Sequence, residues 1–402
     1  MNHGADDFTA RWKEIAGAFL KIGAMSYGGP AIMGIMQAEI QERRGWLTKE
    51  RFLEGLALVT MLPGAAATQL GIFIGYQRAG WRGGLLAGLC FVLPAFVIML
   101  ALTVLYSAFG AVPAARDVFY GLGPVVLGIF VVAVIRLGRV ALTGASEITI
   151  AVSAALLIAF TPIGIVSTLL LAGCAGVTLY HSRSRGLYAA LAVALLIGAY
   201  QWALSSATTL EISAAASQGA PGLRDIGAFF FKVGAFTFGG GITVLAFAQD
   251  QLVGQLSWLT SQEFLDGLAL GQLTPGPILM LAAYVGYKLA GIAGAIVGAC
   301  AIFAPAFILM LSVVPVMARV RQLAWIRSAM RGIGAAVIGV ISVSLAQMVP
   351  HAAPDAFTAA LALLTVAGML AWKIGPLPLM LGGALAGTAI RMKPLQRLRE
   401  LV

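Results

Sequence analysis

Phe19-Leu20-Lys21-Ile22-Gly23-Ala24-Met25-Ser26-Tyr27-Gly28-Gly29 returns 211 positions later as Phe230-Phe231-Lys232-Val233-Gly234-Ala235-Phe236-Thr237-Phe238-Gly239-Gly240. Each copy sets one lysine inside an apolar run and then interrupts that run with glycines. An ammonium group at membrane depth costs about 3 kcal/mol on insertion scales, so it is kept where it works. Neighbouring glycines end a helix because glycine loses the most backbone entropy inside one. A cation beside a helix break, present twice in an apolar chain, implies a transporter with a paired anion site.

The repeat runs on from there. Trp46-Leu47-Thr48 matches Trp258-Leu259-Thr260, and Glu54-Gly55-Leu56-Ala57-Leu58 matches Asp266-Gly267-Leu268-Ala269-Leu270. Leu62-Pro63-Gly64 matches Thr274-Pro275-Gly276, Gly75-Tyr76 matches Gly286-Tyr287, and Pro94-Ala95-Phe96 matches Pro305-Ala306-Phe307. The offset stays at 211 or 212 throughout.

Composition sets the environment. Of the 402 residues 60% are hydrophobic and 10% charged, and the mean hydropathy is +0.94. A soluble domain is about a quarter charged. Apolar stretches of spanning length recur from end to end, which makes the chain an all-α polytopic membrane protein. The net charge of +10 follows from the positive-inside rule and anionic lipid, not from nucleic acid. Met1 to Ala10 is polar and carries Asp6 and Asp7, unlike a signal peptide. Cys90, Cys174 and Cys300 stand far apart without CxxC spacing and read as packing residues. No metal cluster can be assembled around His3, His181 and His351, and no cofactor is implied. No nucleotide-binding lysine loop, zinc-protease motif or nucleophile elbow occurs, so the chain reads as a non-enzyme.

Apolar segments fall at about 14–38, 52–77, 83–109, 113–136, 146–160, 162–180 and 186–204, then at about 224–250, 262–288, 291–316, 326–349, 355–372 and 375–391. The expected organisation is a first repeat over residues 1–185, a connector helix and loop over 186–222, and a second repeat over 223–402. An odd number of crossings before the second repeat inverts it, and the charges agree. The loop after the first segment carries Arg43, Arg44, Lys49 and Arg51, whereas its counterpart Asp250 to Gln262 has no Lys or Arg. The loop after the third segment has Arg116 alone, whereas its counterpart has Arg319, Arg321, Arg327 and Arg331. The basic cluster switches loops, as inverted-topology repeats require. With every segment crossing there are about 13 crossings; with the first two segments of each repeat dipping in and returning there are about 9. The re-entrant version keeps Arg43 to Arg51 inside and is preferred, because about 13 residues precede the first glycines, or ~20 Å of helix. The tail with Arg391, Lys393, Arg397 and Arg399 then lies outside, against the rule.

The breaks at Gly28-Gly29-Pro30, Gly239-Gly240-Gly241, Pro63-Gly64 and Pro275-Gly276-Pro277 are tolerated at membrane depth only where they line a cavity or are buried in protein. Each exposes backbone N–H groups and the positive end of the next helix. The substrate-binding candidates are Lys21, Ser26, Tyr27, Gly28, Gly29, Thr60, Pro63 and Gly64, with Lys232, Thr237, Phe238, Gly239, Gly240, Thr274, Pro275 and Gly276. Their hydroxyls suit oxyanion oxygens. Glu54 and Asp266, an acid recurring at one repeat position, are expected to neutralise the lysines or carry a proton. Gly71/Gly75, Gly84/Gly88, Gly294/Gly298 and Gly383/Gly387 read as close helix contacts, and Trp46, Trp81, Trp258 and Trp325 as interface anchors.

At these motifs the chain resembles the chromate ion transporter (CHR) superfamily, long-chain bidomain type. The likeness rests on Phe19–Pro30 with Phe230–Gly241 and on the two Pro-Gly motifs. It implies a multi-pass protein of the bacterial inner (plasma) membrane that exports chromate and confers chromate resistance; some relatives are thought to handle sulfate. The first copy reads Leu62-Pro63-Gly64-Ala65 where the second reads Thr274-Pro275-Gly276-Pro277, so the half-sites differ chemically. Export fits the energetics: a dianion leaving a negative-inside cell gains about 4.6 kcal/mol per 100 mV. The expected mechanism is alternating access driven by membrane potential or a proton gradient. A permease for sulfate or another tetrahedral oxyanion, or a channel-like anion pore, would use the same residues. The partners expected are the oxyanion and membrane lipid, with no nucleic acid, and glycine-rich faces suit a homodimer.

Overall fold

The computed structural model describes residues 5–26, 29–109, 113–161, 163–196, 221–237, 244, 248–317 and 323–399. His3, the site candidates Tyr27, Gly28, Phe238, Gly239 and Gly240, and most of the expected connector lie outside them. Among the described residues all regular structure is helical. Helix α1 is Ala5–Met25, and α2 is Gly29–Met36, continued by a π-helical stretch Gln37–Arg43. Then come α3 (Lys49–Met61), α4 (Ala66–Phe109), α5 (Pro113–Ala141), α6 (Ala145–Phe160), α7 (Ile165–Tyr180) and α8 (183–196). The second copy contains α9 (Leu223–Ala235), a π-helical stretch Ala248–Gln255, α10 (Ser261–Leu273), α11 (Leu281–Val313), α12 (Ala324–Ala352), α13 (Ala356–Ala371) and α14 (Pro376–Arg399). Four helices among the described residues are long and apolar enough to cross a membrane, within α4, α5, α11 and α12.

The repeated motif forms helices for a repeated reason. Ile15, Ala18, Phe19 and Ile22 fall on one face of α1 at helical spacing, and all are buried. Ile226, Phe229, Phe230 and Val233 form the same stripe on α9. Lys21 and Lys232 lie off that stripe and are exposed. The glycines within the motif make the helix contact: a Cβ at Gly23 would lie 2.3 Å from the Phe91 carbonyl oxygen, and one at Gly234 would lie 2.1 Å from that of Ile302. Backbones this close are the mark of small-residue packing in membrane helices.

Helices α4 and α11 are each two arms joined by a tight reversal. Ala79 and Gly80 leave helical geometry, with Gly80 at φ 65°, ψ −161°, and Ala290 and Gly291 repeat it, with Gly291 at φ 60°, ψ −149°. That region of backbone space is essentially reserved for glycine. The arms touch where Gly75 meets the Gly83 carbonyl and Gly286 meets that of Gly294. The 13 residues of the first arm in α4 give ~20 Å, too short for a ~30 Å hydrocarbon core.

The first two excursions of each copy come back to where they began. The Glu14 carboxylate accepts the Trp46 indole N–H at 2.8 Å and pairs with Arg78 at 3.0 Å. A chain that sets out near Glu14 has therefore returned by Trp46 and again by Arg78. In the second copy the rings of Phe229 and Trp258 meet at 5.4 Å, and Glu263 pairs with Lys288 at 2.9 Å.

The remaining helices are exchanged between copies. Helix α12 of the second copy packs on α6 and α7 of the first: a Cβ at Gly339 would reach the Ala151 carbonyl, and one at Gly332 the Ala172 carbonyl. Helix α5 of the first copy packs on α13 and α14 of the second, through Gly128 on Ala362 and Gly121 on Gly383. Polar ties close each exchange. Arg331 on α12 pairs with the buried Glu147 of α6 at 2.5 Å. Tyr120 on α5 donates to Asp355, the N-cap of α13, at 2.6 Å.

The second tie titrates. The Tyr120 hydroxyl and the Thr358 backbone N–H hold the Asp355 carboxyl below the usual carboxylate range. A depressed folded pKa stabilises the fold above the unfolded value, and that contribution fades as pH falls through the folded value. Tyr120→Phe is therefore expected to lower the melting temperature in detergent near neutrality and to converge on wild type in acid. A melting difference that does not depend on pH would remove the carboxylate from this tie.

Candidate functional site

The Pro-Gly motifs end two short helices and join the two copies. Proline forces the residue before it out of helical geometry, so α3 stops at Leu62 (φ −112°, ψ 145°) and α10 at Thr274 (φ −82°, ψ 127°). Gly64 and Gly276 follow at φ 121° and 106°. The Gly64 N–H donates to the Thr237 carbonyl at 2.6 Å, and the Gly276 N–H donates to the Ser26 carbonyl, also at 2.6 Å. Ser26 and Thr237 are the residues at which α1 and α9 give out. Each Pro-Gly break thus meets the end of the opening helix of the other copy. Ala306 and Ala95, at matching repeat positions, pack against Gly64 and Gly276.

The hydroxyls at these breaks divide into two groups. Thr237 and Thr274 are buried and donate back to the helix carbonyls of Val233 and Leu270 at 2.7 and 2.8 Å. Thr60 is exposed and donates to Ala57. Ser26 is fully buried, and its hydroxyl has no partner among the described residues. Thr68 and Gln69, in the first turn of α4, share that state. Both are fully buried; the Thr68 hydroxyl and Gln69 Oε1 lack partners among the described residues, while Gln69 Nε2 donates to the Pro63 carbonyl at 2.6 Å. Sequence reading passed over both, although two polar residues opening an apolar run were a visible signal. The second copy has Leu279, Met280 and Leu281 in that stretch.

The lysines face the π-helical stretches. Lys21 Nζ lies 3.7 Å from the Glu39 carboxylate, which also binds Arg43 at 3.2 Å and Arg44 at 3.0 Å. Lys232 donates to the Gln251 side-chain carbonyl at 3.5 Å, and Asp250 is close enough to feel its charge. Glu39 and Gln251 are equivalent by backbone pattern, since each carbonyl accepts the N–H five residues on. The first copy therefore meets its lysine with a carboxylate and the second with an amide. The recurring acids are used elsewhere. Glu54 pairs with Arg51 at 2.6 Å. Asp266, 6% exposed, accepts the Tyr106 hydroxyl at 2.5 Å and the Gln262 amide at 2.9 Å. A cavity of about 640 Å³ opens beside Asp266, lined also by Tyr106, Arg116, Tyr120, Lys288 and His351.

Paired broken helices, buried small-residue contacts and four spanning-length apolar helices define a multi-pass helical membrane protein built around interrupted helices. The chain belongs to the chromate transporter family, whose profile matches it twice, over residues 13–177 and 224–388. The family is one of transporters, not of enzymes. The chain is 31% identical over 383 residues to a chromate transport protein of Cupriavidus metallidurans, covering 95% of this chain and 93% of the relative. It is 32% identical over 390 residues to a chromate transport protein of Pseudomonas aeruginosa, covering 94% and 92%. It is also 32% identical over 379 residues to a probable chromate transport protein of Synechococcus elongatus, covering 92% and 93%. No solved structure matches the chain.

Proposed function

We propose that this protein exports chromate across the bacterial inner membrane by alternating access. The observation that carries the reading is the reciprocal pair of main-chain bonds, Gly64 to Thr237 and Gly276 to Ser26, which ties each Pro-Gly break to the end of the other copy's opening helix. Half-helix ends gathered in this way offer backbone N–H groups and positive dipole ends to a tetrahedral dianion. Ser26 and Thr68 add buried hydroxyl donors that have no partner among the described residues. Lys21 and Lys232 supply the compensating positive charge.

The returning excursions favour the re-entrant topology with about 9 crossings. In that topology the two copies are inverted and Arg43, Arg44 and Arg51 lie on the cytoplasmic side. The membrane potential, or a proton gradient, then drives the dianion outward. The test is uptake of radiolabelled chromate into inside-out vesicles, where uptake corresponds to export. Accumulation is expected when the lumen is made positive. Accumulation that ignores voltage and pH gradients alike, or that runs only the other way, would overturn export. Competition by sulfate, molybdate and phosphate distinguishes a broader oxyanion permease, and single-channel currents would mark a pore.

A further inference from the structure

We infer that Asp266 is the proton-binding group of the transport cycle and that the cavity beside it is the water path that loads it. The inference deepens the transport reading above and rests on it. Asp266 is buried among neutral donors. Its two oxygens accept from the Tyr106 hydroxyl and the Gln262 amide, and the nearest cation, Lys288, is engaged by Glu263 at 2.9 Å. A buried carboxylate held by a hydroxyl accommodates either protonation state, because the hydroxyl donates to the anion and accepts from the acid. Glu54, its counterpart, is instead salt-bridged to the Arg51 guanidinium at 2.6 Å. The two copies thus share an acid, and the second alone places it where a proton is readily exchanged.

Access and linkage are both built in. The cavity joins Asp266 to the ends of α4, α5, α12 and α13, where Arg116 and His351 are exposed. Its volume corresponds to about 20 waters at ~30 Å³ each. In the re-entrant topology this end of the molecule faces outward. Among the described residues, the charged and titratable groups around Asp266 are Glu263 on its own helix, Tyr106 on α4, Arg116 and Tyr120 on α5, Tyr284 and Lys288 on α11, His351 on α12 and Asp355 on α13. The same two helices reach the helix break. Thr274, the residue that caps α10, lies eight residues beyond Asp266, and its hydroxyl oxygen is in contact at 3.4 Å with the sulfur of Met99, which lies seven residues before Tyr106 on α4. A change at the Asp266–Tyr106 contact is therefore transmitted ~11 Å along a rigid helix pair to the break. In each cycle water in the outer cavity gives Asp266 a proton, forming an O–H bond. That bond breaks toward the cytoplasm when the site turns over, so one proton enters as one dianion leaves.

The test uses the full chain in proteoliposomes with the voltage clamped to zero by potassium and valinomycin. Acidifying the outside by one pH unit should shift the equilibrium chromate ratio about tenfold outward for wild type. A trapped pH dye should report proton influx with chromate efflux. Asp266→Asn should lose both responses, and Asp266→Glu should restore them with a shifted pH midpoint. Wild-type chromate movement without proton influx would overturn the inference and leave the transport reading intact. An Asp266→Asn protein that still follows the pH gradient would overturn it as well. Absence of any chromate movement by wild type would instead defeat the transport reading. The wild-type measurement decides even if the asparagine variant does not fold.

Discussion

Lys232→Ala should reduce chromate flux in proteoliposomes by about a hundredfold or more, whereas Lys21→Ala should cost markedly less. Removing one member of a desolvated charge pair costs about 2–5 kcal/mol, and each 1.4 kcal/mol is tenfold. The inequality comes from the partners. Lys21 is one of three cations on the Glu39 carboxylate, and Arg43 and Arg44 remain when it is removed. Lys232 donates to the neutral amide of Gln251 and is the cation that acts on Asp250, so its removal takes away charge of the kind that Arg43 and Arg44 retain in the first copy. Thermal melts of both variants separate a lost site from a lost fold. Equal flux for Lys232→Ala and wild type would take the lysine out of the mechanism.

Gly276→Val should abolish both folding and flux, while Gly45→Ala should cost only about 1 kcal/mol of stability, from its positive φ alone. Gly276 sits at φ 106°, and a Cβ there would lie 2.7 Å from the Ala95 Cβ. A branched residue in that region of backbone space costs about 1–3 kcal/mol, and overpacking adds about as much again. The same change pushes apart the contact through which the Gly276 N–H reaches Ser26. Gly45 also has a positive φ, of 59°, but nothing lies within 4 Å of its Cβ position. Yield and elution profile after detergent extraction are the readouts. A well-folded, active Gly276→Val protein would show that the close approach at this break is dispensable.

Much of the fold was legible because it is written locally. The stripe of Ile15, Ala18, Phe19 and Ile22 sets the buried face of α1, and Pro63 and Pro275 fix where α3 and α10 stop. The all-α membrane class and the positions of the two Pro-Gly breaks followed from such signals. The partners of the lysines did not. The repeat offset slips by one residue inside the π-helical stretches, which are seven residues long in the first copy and eight in the second. Aligning by the outer motif sets Glu39 beside Asp250, whereas the backbone sets it beside Gln251. Thr68 and Gln69 were hidden for another reason: they have no polar counterpart in the second copy, so the repeat does not mark them. The Asp266 cavity needed tertiary structure, because Tyr106, Lys288 and His351 come from three separate helices.

The exchange of α12 onto α6 and α7, and of α5 onto α13 and α14, also limits how this molecule can be made. Neither product of a gene split between residues 197 and 220 would have a finished surface by itself, because each would lack the neighbour that seals its longest span. Translated together, the fragments should clasp each other in the bilayer and recover activity; translated alone, each should be degraded. The duplicated gene thus encodes two mutually dependent pieces, more like the subunits of an obligate dimer than two beads on a string.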